Sequence, residues 1–206
     1  VVIETASLSV DDWVRASLYG YVVQAFHCLN LSQVIAVGLR HHTGLSYRAF
    51  YEGLIAFAAE RPGCALGVQL ALIDTMLRNV AAGDGSFDLG DRDFGSMMWP
   101  VEELLFLWNA KELEIGDLNA YVQLIADPRV AEDLIHLQRA TTKWPEQRHA
   151  NEGYLRANWP KAISAWLVNE PATLEAAPVF VRSEPCTLAL QDFAREAVWY
   201  GRKGGS

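Results

Sequence analysis

Three features predict a mainly α-helical, multi-helical domain of orthogonal or bundle-like packing. Apolar residues recur at three- and four-residue spacing through most of the chain. Pro, Gly, Ser and Asp interrupt that pattern at short intervals, which cuts it into several short helices. With 206 residues, 51% hydrophobic and 20% charged, the chain is long enough to bury a core without disulfide or metal support. We expect a single domain over 1–206: a strand at 1–5, a helical body over 9–170, and short strands plus a final helix over 171–206.

Val1 to Thr5 is a β-branched run and a strand candidate. Ser9 caps the next element, and Asp11 and Asp12 place carboxylates at the positive helix end. A helix from Val10 to about Leu29 follows, with Val14, Leu18, Tyr21, Val22, Ala25 and Leu29 on one face and Val23 on another. Asn30 breaks it. Leu31 to Leu39 resumes the pattern and stops at Gly44, after Arg40, His41 and His42.

Ser46 caps a third helix that ends at Arg61-Pro62-Gly63. Cys64 to Ala82 is a fourth, with Leu66, Leu70, Ile73 and Leu77 at helical spacing. Gly83 to Gly95 is a loop by its Gly and Asp content. Pro100, Glu102 and Glu103 open a helix to about Leu113. Asp117 starts a short helix that ends before Asp127-Pro128, and Arg129 to Ala140 is the next. The stretch from Thr142 to Trp159 is irregular. Asn158-Trp159-Pro160 caps a helix to about Val168, Thr173 to Glu175 and Val179 to Arg182 are short strands, and Leu188 to Tyr200 is a final helix. The strand candidates at the two ends would pair, so the small β element would be formed by the terminal segments.

Charge and cysteine usage narrow the function classes. The formal net charge is −8 and no basic block occurs, which argues against nucleic acid and against an anionic membrane surface as partners. Cys28, Cys64 and Cys186 are an odd number with no CxxC, as expected for a cytoplasmic, reducing compartment. The start, Val1-Val2-Ile3, and the Gly-rich end lead to the expectation of a segment of a longer polypeptide.

The catalytic and metal-binding patterns fail on residue type or spacing. The Asp84–Asp93 loop has Leu89 where an EF-hand needs its turn Gly and Gly95 where it needs its bidentate acid. Gly44-Leu45-Ser46 lacks the second Gly of a nucleophile elbow, and no HExxH or Walker loop occurs. His41 and His42 are adjacent, as are His27 and Cys28, so on a helix each pair diverges. We therefore assign no catalytic, cofactor-binding or metal-ligating residue. Two readings stay open for His27: a buried histidine satisfied by a neighbour such as Gln24, or a polar face of Gln24 and His27 lining a cavity. Tyr47 and Tyr51 share a face one turn apart, and Arg48 is a candidate contact for an anion or another domain. Cys28 reads as a small core residue. Gln24, His27, Tyr47 and Arg48 are thus the candidate cavity-lining residues.

The run "DDWVRASLYGYVVQAFHCLNLSQVIAVGLRHHTGLSYRAFYEGL", the Asn158-Trp159-Pro160 segment and "DFAREAVWYGRK" resemble the carboxy-terminal helical region of radical S-adenosylmethionine proteins, particularly those with an amino-terminal cobalamin-binding domain. The resemblance covers most of the chain and is strongest from Glu4 to Leu54. In that family a CxxxCxxC motif on a partial barrel binds a [4Fe-4S] cluster that cleaves S-adenosylmethionine, with cobalamin supporting methyl transfer in some members. Those three cysteines are absent here, so no cluster, S-adenosylmethionine or cobalamin ligand carries over.

What the resemblance implies is an accessory domain. The preceding radical S-adenosylmethionine barrel of the same polypeptide would be its partner, Val1 to Thr5 the exit from that barrel, and the helical body a wall of the substrate cavity. An exposed apolar patch is expected where the two meet. The alternatives are a stand-alone helical interaction module, or an autonomous enzyme whose Gln24, His27, Tyr47 and Arg48 converge on one pocket.

Overall fold

The computed structural model describes residues 8–84, 100–111, 116–142, 152–183 and 186–193. The chain is mainly helical, with one small two-stranded antiparallel sheet among the described residues. Helix α1 (Val10–Val23) passes into a π turn (Gln24–Cys28), followed by α2 (Gln33–Thr43), α3 (Tyr47–Ala59), α4 (Ala65–Ala81) and α5 (Val101–Lys111). Then come α6 (Gly116–Ile125), α7 (Pro128–Thr141), β1 (Glu152–Leu155), α8 (Trp159–Leu167), β2 (Val179–Arg182) and α9 (Leu190–Phe193).

Local chemistry explains most boundaries. The Ser9 side chain accepts from the Asp12 amide at 3.2 Å, the Ser46 side chain from the Ala49 amide at 3.1 Å, and the Asp127 side chain from the Arg129 amide at 2.9 Å. Gly44 stops α2 in the left-handed region at φ 79°, a conformation that costs any other residue more.

The path turns by 91° between Val10–Cys28 and Gln33–Thr43. The corner is Asn30, at φ 65°, and Gln138 from α7 holds it. The Gln138 Oε1 accepts the Val34 amide at 2.9 Å and the Ile35 amide at 3.4 Å, which are first-turn donors of α2. Its Nε2 donates to the Asn30 carbonyl at 2.8 Å and to Thr142 Oγ1 at 2.8 Å. Ser32, in the N-cap position, makes no capping bond with its side chain. One turn along the same interface, a Cβ on Gly38 would lie 2.5 Å from Leu134 Cδ2, so the missing side chain lets α2 and α7 approach.

The core runs through these contacts. It includes Val14, Val22, Phe26, Leu31, Ile35 and Leu39 from the bent pair, with Phe50, Tyr51, Leu54, Leu66, Ile73 and Leu77 from α3 and α4. Helix α5 adds Leu105 and Leu107, α6 adds Leu118 and Val122, and α7 adds Leu134. Among the described residues no single helix is long and apolar enough to cross a membrane.

Two expectations about strands are corrected. Val179–Arg182 is a strand, but it pairs with Glu152–Leu155, inside a stretch whose sequence pattern is irregular, in the register Tyr154 opposite Phe180 and Leu155 opposite Val179. Thr173–Glu175 is not a strand; Asn158 holds it in place, donating from Nδ2 to the Thr173 carbonyl at 3.2 Å and accepting the Glu175 amide at 2.7 Å. The physical reason is that side-chain bonds satisfy this backbone, leaving no need for a ladder. Val1–Thr5, the loop from residue 85 onward and the final helix beyond Phe193 lie outside the described residues.

Gln138→Leu keeps the bulk but removes both the acceptor for α2 and the donor to the corner. We expect it to lower unfolding free energy by roughly 1–3 kcal/mol. Urea denaturation followed by circular dichroism measures this, and an unchanged midpoint would contradict the clamp.

Candidate functional site

The π turn decides where His27 points. Its i+5 bond runs from the Leu29 amide to the Gln24 carbonyl at 2.9 Å, widening the helix by one residue just before the corner. That extra residue takes His27 out of the α-helical register with Gln24. Its partner is Tyr51 from α3: Nδ1 lies 3.0 Å from the Tyr51 hydroxyl. The expected partner, Gln24, is half-buried and its side chain makes no bond to His27.

A second hydroxyl continues the contact. Tyr51 Oη lies 3.3 Å from Ser32 Oγ, and Ser32 Oγ donates to the Phe26 carbonyl at 3.1 Å. Ser32 is fully buried and Tyr51 nearly so, while His27 is half-buried. Rings complete the surroundings. The His27 and Tyr47 centroids are 5.1 Å apart, Tyr51 stands edge-on to His27 at 5.8 Å, and the Arg40 guanidinium lies 4.9 Å over the Tyr47 ring. Burial pushes the His27 imidazole below its ordinary range and the Tyr51 phenol well above its own. The Tyr47 phenol is raised by burial, with Arg40 opposing.

Arg48 belongs to a different surface. Its Nε pairs with Glu52 Oε1 at 2.7 Å, and both side chains are largely in solvent. Together with Arg15, Tyr19, Ile55 and Ala56 they line an open groove of about 720 Å3 between α1 and α3. A smaller hollow of about 380 Å3 shares Leu18 and Ile55 with it and reaches Asp74 and Thr75 on α4. Of the four candidate lining residues, then, His27 and Tyr47 come together, Gln24 sits at the start of the same π turn, and Arg48 lines the neighbouring groove.

Cys28 is exposed, which corrects its reading as a core residue; the widened turn swings it outward while Ala25 and Phe26 take the buried positions. Cys64 caps α4, its Sγ accepting the Gly67 amide at 3.2 Å. Among the described residues no group of three His, Cys, Asp or Glu is placed to hold a metal ion. Cys28 lies in the π turn, Cys64 at the N-cap of α4 and Cys186 between β2 and α9, so the three are not drawn from one local motif.

Sequence reasoning missed Ser32 and the link from His27 to Tyr51. The one signal was that Tyr51 shares a face with Tyr47, but nothing local shows which helix that face meets. No protein-family model matches the chain, and no curated protein matches it either.

The His27 shift carries a pH dependence with a definite sign. Its folded pKa is depressed, so the unfolded chain binds the extra proton and stability falls as pH drops below the ordinary histidine value of about 6.5. Tyr47 and Tyr51 pack their rings on His27, and burial raises both phenols further above this pH window. Thermal unfolding across pH 5–8 should show a smaller acid-side loss in His27→Gln than in the parent chain. Parallel curves would exclude this linkage.

Proposed function

We propose that this chain is a carboxy-terminal accessory domain of a radical S-adenosylmethionine enzyme of the cobalamin-domain type, packing on the catalytic barrel and walling part of its substrate cavity. The observation that carries the reading is where the resembling run Asp11–Leu54 falls in the fold. It spans α1, the π turn, α2 and most of α3, and so supplies both the His27–Tyr51–Ser32 contacts and the Arg15–Arg48 groove.

Each half of the role has a physical basis. A domain that covers a radical site excludes water and presents fixed polar groups to the substrate. A buried tyrosine, a half-buried neutral imidazole and an aromatic rim suit that task, and the groove suits docking. In this reading the [4Fe-4S] cluster, S-adenosylmethionine and cobalamin belong to the preceding domains, and this chain supplies no ligand to them.

The coding sequence upstream tests the reading. The expected outcome is a CxxxCxxC motif roughly 200–300 residues before Val1, the span of a barrel domain. A reading frame that opens near Val1 would remove the proposal and leave a stand-alone interaction module. Anaerobic reconstitution of this chain with iron and sulfide should give no stoichiometric brown chromophore; stoichiometric cluster binding would contradict the division of labour.

A further inference from the structure

Three contacts run in series from His27 Nδ1 to Tyr51 Oη, to Ser32 Oγ, and to the Phe26 carbonyl, at 3.0, 3.3 and 3.1 Å. Each contact needs one proton. A carbonyl oxygen only accepts, so the last proton must come from Ser32. Ser32 has a single hydrogen, so Tyr51 must donate to it. Tyr51 has a single hydrogen too, so it has none left for His27. The first contact is a hydrogen bond only if Nδ1 carries the proton. One ordering alone fills all three contacts, and it runs from the imidazole inward.

We propose that this ordered series fixes neutral His27 in its Nδ1–H tautomer and presents the lone pair of Nε2 as a hydrogen-bond acceptor to a ligand's neutral O–H or N–H group. Nε2 has no partner among the described residues, and it is not among the polar atoms sealed from solvent. The isolated imidazole has no such preset, since which nitrogen is protonated follows from the bond made by the other. Tyr51 and Ser32 are positioning residues: neither meets the ligand, and both act through the proton they hold in place.

The surroundings select the class of ligand. An anion would bring no proton and would face a lone pair. A cation would approach the aromatic rim where the Arg40 guanidinium already covers Tyr47. A neutral hydroxyl or amide meets neither obstacle, and the half-buried Tyr47 ring, 5.1 Å from His27, gives its carbon frame an apolar wall. That this donor belongs to a substrate enclosed by a barrel rests on the function proposed above, whereas the tautomer does not.

Nitrogen-15 correlation spectra of the whole chain at pH 7.5 read the tautomer directly, with His27→Gln assigning the signal. The expected result is Nδ1–H with a bare Nε2. Ser32→Ala is the decisive variant, because it leaves His27 and its ring contacts in place. Without the serine acceptor, Tyr51 turns its proton toward Nδ1, and the population moves toward Nε2–H. Tyr51→Phe should do the same by removing the partner altogether, and the other histidines report whether the fold persists. An Nε2–H tautomer in the parent chain, or no change in Ser32→Ala with the fold intact, overturns the inference. Diethyl pyrocarbonate, which takes up the free lone pair of neutral imidazole, tests access: His27 should react within a few-fold of the exposed His42, and several-fold more slowly in Ser32→Ala. Protection of the parent's His27 while His42 reacts would remove the acceptor role. These measurements need no upstream sequence, so their failure and the failure of the domain assignment are separable.

Discussion

The amide of Gln138 is the constraint on which the rest of this fold depends. An abrupt corner between two apolar helices exposes first-turn N–H groups in a place where water cannot satisfy them, and each orphan costs free energy comparable to a lost hydrogen bond. Gln138 is 1% exposed and uses both ends of its side chain there, accepting from α2 and donating to Asn30 and Thr142. A primary amide has the right chemistry for this because it carries an acceptor and two donors a fixed distance apart. With the corner held, Phe26 and Ser32 come to lie beneath Tyr51, which sets the geometry around His27.

The same device appears where α4 begins. The Leu66 amide donates to Asp117 Oδ2 at 2.7 Å, so a carboxylate from α6 completes a helix end that Cys64 caps only in part. Buried Asp133 on α7 plays a related part, accepting the Arg156 amide at 2.9 Å and the Trp159 indole N–H at 3.2 Å while its other oxygen pairs with the Arg156 guanidinium at 2.8 Å. Helix ends satisfied from elsewhere in the chain form only when the tertiary structure does. Local helicity and global packing are thereby coupled, which favours all-or-none unfolding.

Legibility in the sequence followed the range of the interaction. The Ser9 and Ser46 caps, the Gly44 stop and the helix start at Trp159 follow from neighbours a few residues away, and all are present. The four apolar positions named for α4 are all buried. What could not be read depends on distance along the chain. Periodicity at a fixed angle assumes an unbroken α-helix, so the π turn escaped it, and with it the outward swing of Cys28 and the choice of Tyr51 over Gln24. The strand Glu152–Leu155 escaped because a short strand in a run with Gly and charge has little pattern of its own until Val179–Arg182 is laid beside it. The grouping of His27 with Tyr47 was open to the sequence only as a list of polar residues on apolar helices; the separation of Arg48 onto the groove was not.

The corner also has a timing. Gln138 lies 104 residues after the amide it caps. At bacterial or eukaryotic synthesis rates, between about 5 and 20 residues per second, the segment from Val10 to Thr43 waits on the order of 5–20 seconds for its clamp. During that interval two helices that together have the apolarity of a membrane span, by length and composition, must remain soluble without the partner that bends them. This stretch of the nascent polypeptide is therefore exposed to aggregation or to chaperone capture until Gln138 leaves the ribosome.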